Sequence, residues 1–485
     1  MSAVKSQVKE SVAKPEWPAV GSLLTPSDRA AVGKAARVVV PREDHAVLDV
    51  PSDRADPVDL LQSQAKSRVA ELVPVRYGRM LTSPFAYFRG AALPMAADLA
   101  YTPVTGFIVQ VCGDAHLSNF GVFGTPERRL VFDINDFDET LPGPWEWDVK
   151  RLAASMEVAA RENGFTRKQR RNILLAVVGQ YRQAMRGFAG MTNLDVWYSH
   201  ADLDQLRVDF RAGLTARMRK VIDQGLATAR TKDSMQALAK LTTMTDGQRK
   251  IVANPPLVVP LSDLLARPEN AADVADQIPE LLKAYRRTLR EDSAVLLGRY
   301  ELADLAMKVV GVGSVGTRCW IALMLGAAGS DPLFLQVKEA EKSVLSGFAG
   351  PGEYSNQGQR VVVGQRFTQA ASDIFLGWMR IGRGVDGRSH DYYVRQLRDW
   401  KFSIDINAMV PGGMRRYGAL CGWTLARAHA RTGDRIAIAS YLGSSAVFDN
   451  AIADFAAAYA DLTERDYVGL VGAADTGRIT AERGV

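Results

Sequence analysis

The chain has 485 residues, 47% of them hydrophobic and 24% charged, the composition of a globular protein long enough to bury a large core. Its 60 Lys and Arg against 54 Asp and Glu leave a net charge of +6, too small at this length to imply a nucleic-acid or membrane-surface partner. No stretch approaches the roughly 18 uninterrupted apolar residues of a membrane span, and the opening MSAVKSQVKESVAKPEW lacks an apolar leader core, so the chain reads as soluble and cytoplasmic.

Residues 1 to about 50 mix Pro, Ser and charge without sustained periodicity and read as a loose arm or as wrapping for something downstream. Leu61, Ala65, Val69 and Leu72 then recur at helical spacing and lead into the aromatic run PFAYFRG. Gly106 opens a β-rich stretch, GFIVQVCGDAH, and VFGTPERRLVFDI follows as a hairpin turned by GTPERR. After Pro144 the period becomes 3.6, with Val149, Leu152, Ala153 and Met156 on one face, and helices are expected to fill 145–250. NPPLVVP at 254–260 breaks that pattern, and a further helix is expected around 278–298. AMKVVGVGSVGTRCWIALMLG, LFLQVKEA, FLGWMRIG and DYYVRQLRDW are short β-branched or aromatic runs, which predict a small, mostly antiparallel sheet with one helix near 356–371. Beyond 405 the pattern is helical again. The class is therefore α+β.

The sharpest local constellation is Gly113-Asp114-Ala115-His116-Leu117-Ser118-Asn119, followed after the hairpin by Asp133-Ile134-Asn135-Asp136-Phe137-Asp138. A general base needs a carboxylate near its substrate proton, and Mg²⁺ needs one or two oxygen ligands beside waters and phosphate. Asp114 can be the base, with Asn119 and Asp136 supplying metal oxygens. Against this, Asp and Asn also serve as turn residues bonding their own backbone, and an acidic run can be a solvated loop. A second element is the GxGxxG of Gly311, Gly313 and Gly316, with Ser314 between. The following TRCWIALML reads as a strand, not as the helix that a dinucleotide fingerprint requires. A strand, a glycine turn and a second strand suit a flap over nucleotide phosphates, with Lys338 of LFLQVKEA reaching them from the third strand.

Cys112, Cys319 and Cys421 lie far apart and form no CxxC pair, which argues against a disulfide scaffold and structural zinc and leaves each as a small buried hydrophobe. With only five histidines, any mechanism rests mainly on carboxylates, amides and lysine. Arg76, Arg79 and Arg89 around PFAYFRG can present cations to a phosphate, although arginines on a helix flank commonly form surface ion pairs. Arg395, Arg398 and Lys401 beside Trp400 resemble a nucleic-acid strip only superficially, because no stacking platform repeats. His429 in LARAHA reads as a locally packed helix residue.

GDAHLSN is similar to the catalytic loop of kinase-like phosphotransferases of the aminoglycoside and choline kinase type, HGDxHxxN, with Cys112 in place of the leading His. DINDFD resembles their metal-binding Asp-Phe element, EWDVKRLAAS the Asp-bearing helix start after it, and LARAHA the helix that runs into the catalytic loop. Their order is rotated here, since the loop at 113 precedes the glycines at 311 and the lysine at 338. The whole chain, through SPFAYFRGAA, VVGVGSVGTR, FLQVKEA, GQRFTQAASDIFLGW and IASYLG, resembles a bacterial family known only as domain of unknown function 2252, over roughly residues 45–475.

These resemblances imply a circularly permuted, two-lobe kinase-like fold. Its parts would be an N-terminal arm (1–50), the catalytic-loop hairpin and helical lobe (51–295), a glycine-loop β lobe (296–404) and a helical segment completing the large lobe (405–485). Asp114 would be the general base, and Asn119 with Asp136 would hold Mg²⁺, with Asp138 in reserve and Asp133 also open. His116 would orient the loop or transfer protons. Lys338 would hold ATP phosphates under Gly311, Gly313, Ser314 and Gly316, and Lys338 and Asp114 should meet across one cleft. One departure is plain: residues 356–371 contain no acid to pair with the lysine, which leaves Glu341 and Glu353 nearby and Gln359 or Gln365 as neutral partners. The expected activity is ATP- and Mg²⁺-dependent phosphoryl transfer to a small-molecule or protein hydroxyl, with no nucleic-acid or membrane partner. Nucleotidyl transfer, a nucleotide-binding pseudokinase, and a metal-dependent hydrolase built on Asp114, His116, Asp133 and Asp136 are the alternatives.

Overall fold

Thr25 accepts a hydrogen bond from the backbone of Asp28 while the Asp28 carboxylate bonds Thr25 in return, and this reciprocal cap starts the first helix. In this computed structural model the described residues are 24–203, 231, 234–265, 271–327, 331–384, 386–397, 400 and 404–484. In chain order the leading elements are α1 (Pro26–Val39), α2 (Pro57–Ala65), α3 (Val73–Met80), α4 (Pro84–Gly90) and α5 (Ala92–Leu99). Strands β1 (Ile108–Val111), β2 (Phe120–Gly124), β3 (Leu130–Ile134) and β4 (Leu141–Pro144) follow. Next come α6 (Trp145–Glu162), α7 (Arg167–Ala189), α8 (Asn193–Tyr198) and β5 (Ala201–Asp202). The chain continues with α9 (Ser234–Leu241), β6 (Thr242–Thr245), β7 (Gln248–Ile251), β8 (Val258–Pro260), α10 (Leu261–Leu265), α11 (Ala271–Arg286) and α12 (Glu291–Leu297). It ends with β9 (Tyr300–Lys308), β10 (Cys319–Gly326), β11 (Pro332–Ala340), α13 (Gln357–Thr368), β12 (Gly377–Ile381), β13 (His390–Gln396), α14 (Pro411–Thr432), α15 (Arg435–Leu442) and α16 (Val447–Asp475).

The fold is mixed α+β, as the alternating textures of the sequence indicate. Six antiparallel strands form the main sheet in the order β12-β13-β11-β10-β9-β8, and β1 pairs with β4 while β2, β3 and β5 make a three-stranded ribbon. The helical body is centred on Trp145, fully buried and stacked on Tyr181 at 5.7 Å, with Tyr441 and Phe448 around it. This body joins α6 and α7 to α14 and α16, so its core draws on both sides of the sheet in sequence. Ahead of every motif, α1 lies on α15, where Arg37 donates to the carbonyls of Tyr441 and Ser440. All three cysteines are buried thiols, and no single helix among the described residues is long and apolar enough to cross a membrane.

Two described stretches depart from the helical expectation for 145–250: β5, which pairs with β3, and residues 242–251. Residues 242–251 form the hairpin β6–β7, turned at Asp246 and Gly247 with φ of 50° and 75°. Two successive positive φ values define the tight turn that Asp-Gly favours, and this local chemistry overrides the helical neighbourhood. Residues 204–230, part of the same expectation, lie outside the described residues.

Close helix contact depends on small residues. A methyl group on Gly422 of α14 would lie 2.3 Å from the carbonyl oxygen of Val177 on α7. Gly422→Ala is expected to lower stability by about 1–3 kcal/mol in a urea titration despite alanine's better helix propensity, because two backbones must separate. An unchanged midpoint would show that the helices shift freely.

Candidate functional site

The loop after β1 is held mainly from α6 and α14. Asp148, in the first turn of α6 and 1% exposed, accepts the backbone N–H of Cys112 at 2.7 Å and of Gly113 at 3.0 Å. Its carboxylate also meets His429 Nε2 of α14 at 3.2 Å, and Tyr181 OH bonds the other ring nitrogen at 2.8 Å. Thus His429 is packed in the helix body, as its context suggests, and it also braces the loop. Ser155 Oγ accepts the Leu117 N–H, and Tyr417 OH donates to the Leu117 and Phe120 carbonyls. Gly113 has φ +81°, and a Cβ there would lie 2.3 Å from the Glu139 carbonyl oxygen, so glycine is required.

This clamp presents Asp114. Arg151, one turn beyond Asp148 on α6, donates from Nε to Asp114 Oδ1 at 2.5 Å while its guanidinium lies over the Phe88 ring. His116 Nε2 is 3.8 Å from Asp114 Oδ2. Burial, with Arg89 and Arg151 close by, pushes the His116 pKa well below the usual histidine range, so the ring is neutral. Asn119 Nδ2 donates to the Asp114 carbonyl at 2.6 Å, which leaves Oδ1 as the atom able to act as a ligand.

On the sheet, Lys338 of β11 is 2% exposed and its Nζ lies 2.7 Å from Asp138 Oδ2 and 3.5 Å from Asp136 Oδ1, behind the two carboxylates and not itself on the cavity that Asp114 lines. Tyr393 OH donates to Asp138 Oδ1 at 2.7 Å, and Ser314 Oγ approaches Oδ2 at 3.3 Å. Both Asp138 oxygens are therefore engaged, while Asp136 Oδ2 has no protein donor among the described residues. Burial opposes ionisation of Asp138, but the Lys338 charge and the bonds from Lys338 and Tyr393 outweigh it and hold the carboxyl at about 2. Asp136 is raised by burial and by the neighbouring Asp138 charge. The two carboxylates in turn keep Lys338 charged against the cost of its burial. Glu139, next along, is pushed up to about 7 by burial.

The counter-ion of Lys338 thus arrives from 200 residues upstream, not from α13. Among the described residues neither Gln359 nor Gln365 bonds the lysine; Gln365 Nε2 donates to Gln369. Instead α13 sends Arg360 across to the carbonyls of Thr140, Asp138 and Glu341. Asp133 turns away from the cleft into an ion pair with Arg427 and accepts the N–H groups of Ile134 and Ala370. That corrects the reading which left it open as a metal ligand, and it removes one of the four residues of the hydrolase alternative.

The glycine turn joins β9 to β10, with Gly311 and Gly316 at φ +68° and +91°. It rests on the segment before it in sequence: Arg79 donates to the Gly311 carbonyl at 2.6 Å, the Val69 N–H to Gly316 at 2.8 Å, and Arg68 to Val315. Between this turn, Asp114 and the Asp136–Glu139 run lies a cavity of ≈ 350 Å³, and Arg68, Arg76 and Arg89 line it too. The cleft has an acidic floor and a basic wall, a charge layout that suits a cation and a phosphate together.

Sequence reasoning did not single out Arg68, Arg151 or Tyr393. Arg151 had a usable signal, three residues after Asp148 and so on the same helix face. Arg395 is half-buried, bonded to Gln336 and the Asn135 carbonyl, and forms no exposed strip, while Arg398 and Lys401 lie outside the described residues. Among the described residues no group of three or more His, Cys, Asp or Glu is placed to hold a metal ion. Mg²⁺ uses one or two protein oxygens and takes the rest from water and phosphate, and the oxygens open to such an ion here are Asp136 Oδ2 and Asn119 Oδ1, which have no hydrogen-bond partner among the described residues.

A family model described as an uncharacterized protein conserved in bacteria (DUF2252) matches residues 68–473. No curated protein and no solved structure matches the chain.

Proposed function

We propose that this chain, which belongs to the bacterial DUF2252 family, is an ATP- and Mg²⁺-dependent phosphotransferase on a circularly permuted, two-lobe kinase-like fold, acting on a small-molecule or protein hydroxyl. The observation that carries the reading is the Lys338 ammonium held against Asp138 and Asp136, two carboxylates that line one cleft together with Asp114 and with Gly313 and Ser314 of the glycine turn. The order β9, β10, β11, β13, β12 supports it, with the glycine turn between the first two strands, the lysine on the third and a helix between the third and fourth in sequence. Permutation is supported by Thr432, at the end of α14, whose Oγ1 accepts the N–H of Gln110 at 3.1 Å, just before Asp114.

Mechanistically, Arg151 occupies Asp114 Oδ1 and leaves Oδ2 to orient the acceptor hydroxyl and take its proton. The acceptor oxygen bonds the γ-phosphorus as the bond to the bridging oxygen breaks, and ADP leaves. Lys338 and the backbone N–H groups of the glycine turn hold the phosphates through the transfer. Asp136 and Asn119 would hold Mg²⁺, which supplies neutralisation of phosphate charge. His116, neutral and buried with no side-chain hydrogen bond among the described residues, does not carry the proton.

The test is thermal denaturation with Mg-ATP, comparing the parent with Lys338→Ala and Asp136→Ala. A ligand at 100 times its Kd stabilises by about 2.7 kcal/mol, and this shift is expected in the parent and lost in both variants. No shift at millimolar Mg-ATP, or an equal shift in Lys338→Ala, would sink the proposal. A shift without transfer to any offered acceptor would mark a nucleotide-binding module.

A further inference from the structure

We propose that Arg68, Arg76 and Arg89 form a second anion pocket in this cleft, on the Asp114 side, which binds a phosphate group carried by the acceptor. The inference rests on the phosphotransferase reading for the word acceptor, and on the arginines alone for the anion.

Arg76 is 0% exposed, and only its Nη2 is satisfied, by Gln64 Oε1 at 2.7 Å and the Gly90 carbonyl at 3.0 Å. Its Nε and Nη1 are buried without a hydrogen-bond partner, as are Arg68 Nε and Arg89 Nε. A buried donor left unmade costs about 1–3 kcal/mol, and more in a charged group, so four on three side chains that line one cavity are not a resting arrangement. Arg68 and Arg76 also repel each other in that low-dielectric wall, where burial depresses both. Their acidic surroundings do not settle the account, since none of the cavity carboxylates hydrogen-bonds these nitrogens. An oxyanion seated among them would.

Charge and position decide the rest. Lys338 and the glycine turn already serve the donor phosphates from the sheet side. Arg89 instead interacts electrostatically with Asp114, and its carbonyl oxygen is 3.1 Å from where a Cβ on Gly313 would stand, so it spans the base and the outer lip of the turn. Phosphate, with three terminal oxygens, can accept several guanidinium N–H bonds at once, and Arg is the side chain whose geometry matches it.

The test is calorimetric titration with inorganic phosphate, with and without a saturating non-hydrolysable Mg-ATP analogue. It compares the parent, Arg89→Gln, Arg76→Lys and Lys338→Ala. Arg89 is only partly buried, so its substitution is compatible with folding, and Arg76→Lys keeps the charge while deleting the unpartnered fork. Phosphate is expected to bind the nucleotide-loaded parent, to bind at least tenfold more weakly to Arg89→Gln and Arg76→Lys, and, without the analogue, still to bind Lys338→Ala, whose donor site is disabled while its arginines are intact. No binding to the parent at tens of millimolar, or binding unchanged in both arginine variants, overturns the pocket. Competition between phosphate and the analogue overturns its assignment to the acceptor and gives the arginines to the donor. If the analogue fails to bind while phosphate binds through Arg76 and Arg89, the anion site stands and the ATP reading fails.

Discussion

Arg427→Leu is expected to lower the free energy of unfolding by about 3–5 kcal/mol, the range for removing one member of a buried ion pair. Arg427 and Asp133 are each 1% exposed, and the pair ties β3 to α14. Leucine leaves the carboxylate only the N–H groups of Ile134 and Ala370. The effect reaches past stability, because β3 delivers Asp136 and Asp138, two and four residues beyond its end at Ile134. Chemical denaturation of the single and double leucine variants checks it. The double variant should lose less than the sum of the two singles, since it strands no charge, but it should not recover fully because Asp133 also satisfies two backbone donors. A loss below about 1 kcal/mol in Arg427→Leu would show that solvent reaches the pair.

Asp148→Ala should cost a comparable amount, about 2–6 kcal/mol, from two buried N–H groups at about 1–3 kcal/mol each. The amides of Cys112 and Gly113 lose their acceptor, and His429 loses its carboxylate. Hydrogen exchange reads this directly: both amides should be protected in the parent and exchange much faster in the variant, before global unfolding. Protection retained in Asp148→Ala would mean that the loop is held by Ser155 and Tyr417 alone. Asp148→Asn should fall between, since its amide keeps one acceptor oxygen where the two backbone bonds use two.

What could be read from the sequence is what neighbours decide. The 120–134 hairpin, the glycine turn and the lysine strand are each set by residues a few places away, and they stand where the patterns put them. Partner choice is different. Lys338 pairs with carboxylates 200 residues earlier, so a search of the helix after it finds no acid and reads a deficiency that the fold does not have. The same distance hides the division of labour among the three aspartates. Asp133 lies inside β3, where the pleat turns it toward Arg427, whereas Asp136 and Asp138 follow the strand and are free of its alternation. Nothing local distinguishes Arg68, Arg76 and Arg89 from surface arginines, because the cavity they line is closed by residues far away in sequence, such as Val315, whose carbonyl Arg68 reaches.

The interrupted helical body has a consequence for the making of the protein. Its early helices α6 and α7 wait for α14 and α16, which leave the ribosome only after the whole sheet has been translated. From the end of α7 at Ala189 to Asp475 there are 475 − 189 = 286 residues, or about 14–57 s of elongation at roughly 5–20 residues per second. During that interval the apolar faces of α6 and α7 are without their partners, a natural target for nascent-chain chaperones. The sheet, whose β9 to β13 are contiguous in sequence, can pair its strands before the body around it closes.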